Sequence, residues 1–368
     1  MTLNILLLLV VATGVALAVV PVVRALSLRA ELVDQPGGRK VHTMAVPRLG
    51  GIGIVSGIAA ALLVETAGEL FWGWPHVLLS GDGQVLGTVL GIAVIFAVGL
   101  VDDVRGMKAG VKLGGQILAA LFPVMLGLRI EFFGNPFGEG TIPLGWWSYP
   151  LTVIWLVAFA NVFNLIDGLD GLAGGVAAIS GASFLALAIV MHQSIAAILA
   201  VALIGGCLGF LRYNFNPASI YMGDSGSLSI GFVLGCVSLT GVMKSAAAIS
   251  LLAPLLIIGV PVFDTASAIL RRSLHGRPIH EADNGHIHHR LLHRGFSVRQ
   301  TVLVIYAWAG MLALGGFAMR PEVLPAWARA VVLIVMVGLS AGMAYWLGLL
   351  TPARIHGDDV ESRTRSKR

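Results

Sequence analysis

Long apolar runs separated by short polar stretches extend along almost the whole chain. Eleven segments are read at about residues 3–23, 50–67, 83–101, 111–128, 148–165, 171–191, 195–211, 226–242, 247–264, 301–319 and 327–349. Most approach the roughly 20 residues that an α-helix needs to cross a hydrocarbon core. The pattern does not fit the alternating strands of about 10 residues that build an outer-membrane barrel. The run near 71–80 is broken by Gly73 and Pro75 and is too short to cross, so it reads as interfacial, with Trp72 and Trp74 at headgroup level. Residues 129–147 combine glycine, proline and aromatic residues and predict a small hairpin outside the membrane.

Composition removes the main competing classes. Of the 368 residues, 57% are hydrophobic and 12% charged. A soluble domain carries about 25% charged residues, so a water-exposed surface is excluded, and the same figures exclude disorder. The expected fold is an all-α polytopic membrane protein with about eleven transmembrane helices. Residues 1–350 form one transmembrane catalytic domain that includes a cytoplasmic loop at 265–300, and a basic tail follows at 351–368. The first apolar run lacks a preceding basic region and a small-residue cleavage site, so no cleavable signal peptide is expected. Cys207 and Cys236 both fall within apolar runs and read as small core residues.

Charge sets the orientation. With the N-terminus outside and eleven crossings, 20 of the 24 Lys and Arg residues fall on the cytoplasmic side. The pI near 9.5 is then a signature of membrane orientation, and no nucleic acid is expected as a partner. The C-terminus is cytoplasmic in this scheme.

The acidic residues fall on the same face. Asp34, Asp102, Asp103, Asp167, Asp170, Asp224, Asp264, Glu281 and Asp283 all lie on the cytoplasmic side, as do His286, His288 and His289. Several carboxylates sit at or just inside span ends, where they are costly. Five of these at one face point to a shared site rather than to packing. Asp102 and Asp103 are adjacent, and both ionise comfortably only beside a cation or donor. A solvated helix end is the alternative, but carboxylates at a helix C-terminus oppose the macrodipole. Asp167 and Asp170 would share one face of a helix, yet Gly168 and Gly171 argue for a tight turn that lets backbone N–H groups approach a phosphate. A calcium loop fails, because the other ligand positions and the closing Glu are missing.

Two further clusters add recognition chemistry. The stretch from Arg212 to Ser227 carries Asn214, Tyr221 and Asp224, an inventory of amide, aromatic and carboxylate that suits a nucleotide. Its alternative is a polar turn with Asp224 as a helix N-cap. In the loop at 265–300, Asn284-Gly285-His286-Ile287-His288-His289-Arg290 offers imidazole and guanidinium groups for phosphate. Zinc and a solvated basic loop are the other readings, the first without a nearby Cys or a His-Glu-x-x-His pattern. Carboxylates cannot bind a diphosphate directly, but they can hold Mg²⁺, which completes its octahedron with phosphate oxygens and water. Phosphoryl transfer to or from a lipid-soluble acceptor would explain a site at the membrane surface.

These residues resemble the polyprenyl-phosphate N-acetylhexosamine-1-phosphate transferases of bacterial envelope synthesis. The resemblance rests on Pro47-Arg48-Leu49-Gly50-Gly51, on Val101-Asp102-Asp103, on Asn164-Leu165-Ile166-Asp167-Gly168-Leu169-Asp170-Gly171-Leu172, on Met222-Gly223-Asp224-Ser225-Gly226-Ser227 and on His286-Ile287-His288-His289-Arg290. It implies an enzyme in which undecaprenyl phosphate displaces UMP from a UDP-N-acetylhexosamine, with Mg²⁺ or Mn²⁺, in the bacterial cytoplasmic membrane. It implies catalytic roles for Asp102, Asp103, Asp167 and Asp170, and metal binding by Asp224 and Asp103. Asn164, Asn214, Tyr221, His286, His288, His289 and Arg290 would meet the nucleotide sugar. Lys112 and Gln116 would meet the lipid phosphate, and Lys40, His42 and Arg48 would approach from the first inside loop. His-Ile-His-His-Arg, in place of three consecutive histidines, resembles the branch that uses UDP-GlcNAc to start O-antigen, teichoic acid or arabinogalactan-type polymers. UDP-MurNAc-pentapeptide or another amino sugar is the alternative donor. A homodimer is compatible with the sequence. An ion-coupled transporter is the contrasting class; it predicts midplane sites and an internal repeat, neither of which is seen. Both single displacement and a covalent aspartyl intermediate use the same residues; the first is preferred, because an anionic acceptor mainly needs positioning and charge neutralisation.

Overall fold

The computed structural model describes residues 2–34, 46–134, 140–241, 252–274, 276, 285–319 and 324–349. It is helical apart from two short ladders. The helices are α1 (Thr2–Arg29), α2 (Gly51–Phe71), α3 (Gly83–Arg105), α4 (Ala109–Met125), α5 (Ser148–Ile166), α6 (Leu172–Val190), α7 (Ser194–Asn214), α8 (Gly223–Gly241), α9 (Leu252–Ile257), α10 (Gly259–Leu274), α11 (Ile287–His293), α12 (Val298–Ala318) and α13 (Ala326–Leu347). Strands β1 (Val33–Asp34) and β2 (Val46–Pro47) pair antiparallel. So do β3 (Phe132–Gly134) and β4 (Thr141–Pro143), in the register Phe132↔Pro143, which is the hairpin expected between the fourth and fifth segments.

Among the described residues, eight helices are long and apolar enough to cross a membrane: α1, α2, α3, α5, α6, α7, α12 and α13. Helix α4 is a shorter apolar helix of 17 residues. Helix α8 forms the centre, with every residue from Ser225 to Gly241 buried. Helix α13 lies at the opposite extreme, with only Ser340 and Leu347 buried. Its exposed Ile334, Val337 and Leu339 suit contact with lipid rather than water.

The ninth segment departs from expectation. Residues 242–251 lie outside the described region, and from there the chain forms α9 and α10, which runs on to Leu274. Pro261 explains the break, because it cannot donate to the Ile257 carbonyl one turn back. Ser180 of α6 supplies the donor instead, with its Oγ 3.1 Å from that carbonyl. The same device serves α1, where Pro21 leaves the Leu17 carbonyl free and Tyr213 Oη donates to it at 3.1 Å. Freed carbonyls in an apolar bundle need such partners. Helix α10 buries Val260, Asp264, Ser267, Ala268 and Arg271, a one-sided stripe at helical spacing.

The chain gathers alternate helix termini at one end of the bundle. The last turns of α1, α3, α5 and α7 meet the first turns of α2, α4, α6 and α8 there. Arg24 donates to Ser219 O at 3.1 Å, and the amides of Gly50 and Gly51 donate to the carbonyls of Tyr221 and Met222 at 2.9 and 2.8 Å. Arg299 at the start of α12 donates to Asn216 O at 2.9 Å. The end of α13 arrives beside α10, where Arg271 donates to Leu349 O.

Candidate active site

The first layer joins α3 to α8. Asp103 is buried and accepts from the backbone amides of Asp224 at 2.7 Å and Ser225 at 2.9 Å. It therefore satisfies two of the orphan donors at the α8 N-terminus, where a negative charge is also favoured by the helix dipole. Gly223 makes this approach possible. Its φ is +71°, and a Cβ there would lie 2.1 Å from the Arg48 carbonyl and 2.6 Å from Asp103 Oδ2. Asp103 thus fixes Asp224 in place, a use that the sequence does not signal.

Above that layer, Lys112 of α4 bridges two carboxylates. Its Nζ lies 2.9 Å from Asp102 Oδ2 and 2.5 Å from Asp224 Oδ2. Asp102 Oδ1 also accepts from the Met107 amide at 2.6 Å, across the turn after α3. Asn164 Nδ2 donates to Asp224 Oδ1 at 2.5 Å and to Ser227 Oγ at 2.9 Å. Gln116 and Asn161 exchange an amide pair, at 2.6 and 3.3 Å, just deeper along α4 and α5. Asn161 and Ser227 are additional members that sequence spacing alone did not single out.

The turn between α5 and α6 carries Asp167 and Asp170, and the two have different surroundings. Asp170 is buried; its Oδ2 accepts from Asn216 Nδ2 at 2.9 Å and from the Ala218 amide at 3.0 Å. It ties this turn to the loop between α7 and α8. Asn214 does the same, accepting from Gly171 N and donating to Ile220 O, both at 2.9 Å. The Tyr221 backbone pairs with Pro47 and Gly50. By contrast, the half-buried Asp167 carboxylate has no hydrogen-bond partner among the described residues. Desolvation, then the charges of Asp224, Asp103 and Asp170, raise it from the ordinary carboxylate range to about 7.

The histidine motif closes onto this turn. Asp264 of α10 is buried, its Oδ2 lying 2.8 Å from His286 Nδ1 and its Oδ1 accepting the Ile287 amide at 2.8 Å. His288 lies parallel to His286, with centroids 5.8 Å apart, and its centroid is 4.2 Å from that of His289. A Cβ on Gly168 would come 2.5 Å from His288 Nε2, so only glycine admits the ring against the Asp167 turn. Burial, then its histidine neighbours, lower His288 to about 3 against the opposing charge of Asp264, which keeps the ring neutral. Arg290 Nε donates to Gly285 O at 3.1 Å and Nη1 to Leu347 O at 3.4 Å. It holds the loop to the end of α13 as well as bordering the histidines. Asp264 lies more than twenty residues before the motif, and no local spacing marks it.

Lys40, His42, Glu281, Asp283 and the basic tail lie outside the described residues. Arg48 is placed by its carbonyl against Gly223. The rest of the sequence-derived set converges at one end of the bundle.

Electrostatically, five carboxylates (Asp102, Asp103, Asp167, Asp170 and Asp224) gather around one lysine. An anionic ligand would be repelled unless a cation accompanied it. Among the described residues no group of three or more His, Cys, Asp or Glu is arranged as a metal cage. That is compatible with Mg²⁺, which binds through one or two carboxylates plus substrate phosphates. The unpartnered Asp167, with Asp224 among its charged neighbours, supplies the donor set for such a site.

Comparison with known proteins adds an independent line. Residues 85–242 match the family described as Glycosyl transferase family 4. The chain is 36% identical over 334 residues to a probable undecaprenyl-phosphate N-acetylglucosaminyl 1-phosphate transferase of Bacillus subtilis, covering 91% of this chain and 89% of that protein. It is 37% identical over 321 residues to the decaprenyl-phosphate N-acetylglucosaminephosphotransferase of Mycolicibacterium smegmatis, covering 80% and 76%. It is 34% identical over 324 residues to a phospho-N-acetylmuramoyl-pentapeptide-transferase of Desulforudis audaxviator, covering 82% and 92%.

Proposed function

The chain belongs to glycosyl transferase family 4, and from that premise we propose that it transfers N-acetylglucosamine 1-phosphate from UDP-GlcNAc to undecaprenyl phosphate, releasing UMP. The product, undecaprenyl-diphosphate-GlcNAc, is the starting unit of a cell-envelope polysaccharide. One observation carries the reading: the four acidic and histidine motifs, spread over nearly two hundred residues of sequence, meet around Asp224 and Asp167 at one end of the bundle.

The residues divide the work. Lys112, held between Asp102 and Asp224, meets the acceptor phosphate and neutralises it as it approaches. Asp102 orients that lysine, and Asp103 holds the α8 N-terminus. Asp167 and Asp224 would hold Mg²⁺, which when bound supplies charge neutralisation at the donor diphosphate. The neutral ring of His288 fills the space against Gly168, while His286 and His289 meet the nucleotide sugar. Asn164 fixes the Asp224 carboxylate; Asp170 and Asn214 fix the turn that presents Asp167. In single displacement, an oxygen of the polyprenyl phosphate attacks the sugar-bearing phosphorus. The new phosphoanhydride forms as the bond to UMP breaks, and UMP carries away the released charge. The same number and kind of bond is made as is broken, so the reaction is readily reversible.

The site lies on the cytoplasmic face of a bacterial inner membrane, with eleven crossings, the N-terminus outside and the C-terminus inside. The alternation of helix ends at the site and the distribution of Lys and Arg support this arrangement. The ninth crossing includes α9 and the start of α10.

The test is UMP release by purified protein in detergent with undecaprenyl phosphate and Mg²⁺. UDP-GlcNAc, UDP-GalNAc and UDP-MurNAc-pentapeptide are supplied in parallel, with Asp167→Asn as the control. Acceptor-dependent release with UDP-GlcNAc alone is expected. Release only with the muramoyl donor, a reading favoured by the similarity to the pentapeptide-transferase relative, would move the chain to that branch. Folded protein that releases no UMP from any donor would overturn the reaction.

A further inference from the structure

Asp264 has no part in the reading above, yet it is one of the most thoroughly committed carboxylates in the molecule. It is 2% exposed, and each oxygen has a partner: Oδ1 takes the Ile287 amide and Oδ2 faces His286 Nδ1, both at 2.8 Å. An ionised carboxylate only accepts hydrogen bonds. The proton in the His286 contact therefore sits on Nδ1, and the tautomer of the ring is set by Asp264. His286 Nε2 has no hydrogen-bond partner among the described residues. It is the ring nitrogen left for a ligand. The ring is held by its contact to Oδ2 while the Ile287 amide is pinned to the other oxygen of the same carboxylate, and His288 lies parallel to it with planes 8° apart.

We propose that Asp264 is the positioning residue of the histidine motif: it fixes the tautomer and orientation of His286 so that the unprotonated Nε2 is presented to the nucleotide-sugar donor as an acceptor for one of its O–H or N–H groups. The proposal rests on the transferase reading and deepens it. Asp264 itself does not touch the substrate. It acts through His286, in the way that the partner on the far ring nitrogen orients a metal-bound or catalytic histidine elsewhere. With the proton on Nδ1, Nε2 carries a lone pair and accepts, so it suits a hydroxyl or N–H group of the donor rather than a phosphate oxygen. The groups facing His286 are Asp264 from α10 and His288 from its own segment, while Arg271 of α10 packs against the neighbouring Gly285.

The experiment compares wild type with Asp264→Asn and His286→Gln. An asparagine can still accept the Ile287 amide through Oδ1, but its Nδ2 turns a donor toward His286. That forces Nδ1 to become the acceptor and moves the proton to Nε2. In ¹⁵N-histidine-labelled protein, the His286 signals, assigned by their loss in His286→Gln, should show a protonated Nδ1 in wild type and an unprotonated Nδ1 in Asp264→Asn. In steady-state UMP release, KM for UDP-GlcNAc should rise about tenfold in both variants, the scale of losing one hydrogen bond. KM for undecaprenyl phosphate should stay near the wild-type value. Combining the two substitutions should add little to either alone.

An Asp264→Asn protein with wild-type donor KM, or with an unchanged His286 tautomer, overturns the proposal. If Asp264→Asn does not fold, His286→Gln decides alone, because it leaves Asp264 and its bond to Ile287 in place; an unchanged donor KM there overturns the proposal. A wild-type protein that neither binds UDP-GlcNAc nor releases UMP from it would instead sink the underlying transferase reading, and the tautomer measurement would still report on the Asp264–His286 pair.

Discussion

Asp167 and Asp103 are both carboxylates at the end of an apolar helix, yet their surroundings give them opposite uses. Asp103 has both oxygens filled by backbone amides of α8, whereas the Asp167 carboxylate has no hydrogen-bond partner among the described residues. A group lifted to about 7 by desolvation and like charge is an acid whose folded state holds its proton more tightly than the unfolded chain, where the value is about 3.9. The stability this confers is complete below about pH 4 and is lost as pH rises through about 7. Asp167→Asn is neutral throughout and keeps it. In the absence of Mg²⁺, the melting temperatures of the two proteins should nearly coincide at about pH 4 and diverge toward about pH 7, with the variant higher. UMP release by the variant should be lost. Parallel melting curves over that range would mean that Asp167 is already compensated in the folded protein. A carboxylate that costs stability while it waits for a cation is the expected signature of a site retained for function.

At the scale of elements, hydrophobic length located the helices well. Segments read at 83–101, 148–165 and 171–191 correspond to α3, α5 and α6 within a few residues. It served less well where a helix is not a plain span. Hydrophobic length ends the ninth segment at 264, whereas α10 continues to Leu274 as an amphipathic helix, and apolar content alone cannot follow a helix whose exposed face turns polar. The site was legible as motifs but not as a division of labour. Nothing in Asp102-Asp103 says that one residue pairs with Lys112 and the other caps α8, because both partners are distant in sequence and are supplied by packing. The break at Pro261 is a testable case of such packing. If Ser180 satisfies the Ile257 carbonyl that Pro261 abandons, Ser180→Ala should cost about 1–3 kcal/mol, the penalty of a buried unsatisfied acceptor. In a Pro261→Ala background the restored amide can reach that carbonyl, and Ser180→Ala should then cost clearly less. Equal costs in the two backgrounds, read from denaturation midpoints, would show that the hydroxyl serves some other purpose.

For the whole molecule, the order of helix ends at the site carries the argument. Along the chain, α1 arrives with its C-terminus, α2 leaves with its N-terminus, and the alternation continues through α3, α4, α5, α6, α7 and α8. The end of α10, the start of α12 and the end of α13 extend it. Each return to the same end of the bundle requires the chain to have crossed and come back. If that end is cytoplasmic, residues on either side of a single helix must face opposite compartments. Helix α3 offers a clean test, because Ser80 before it and Lys108 after it are both exposed, whereas the native Cys207 and Cys236 are buried and give little background. In intact cells with a permeabilised outer envelope, a membrane-impermeant maleimide should label Ser80→Cys but not Lys108→Cys. Inverted membrane vesicles should reverse the pattern. Labelling of Lys108→Cys from the outside would place Lys112, Asp224 and the histidine motif on the wrong side for a nucleotide-sugar donor made in the cytoplasm. The reaction proposed for this site would then have no access to its substrate, however well the individual residues fit.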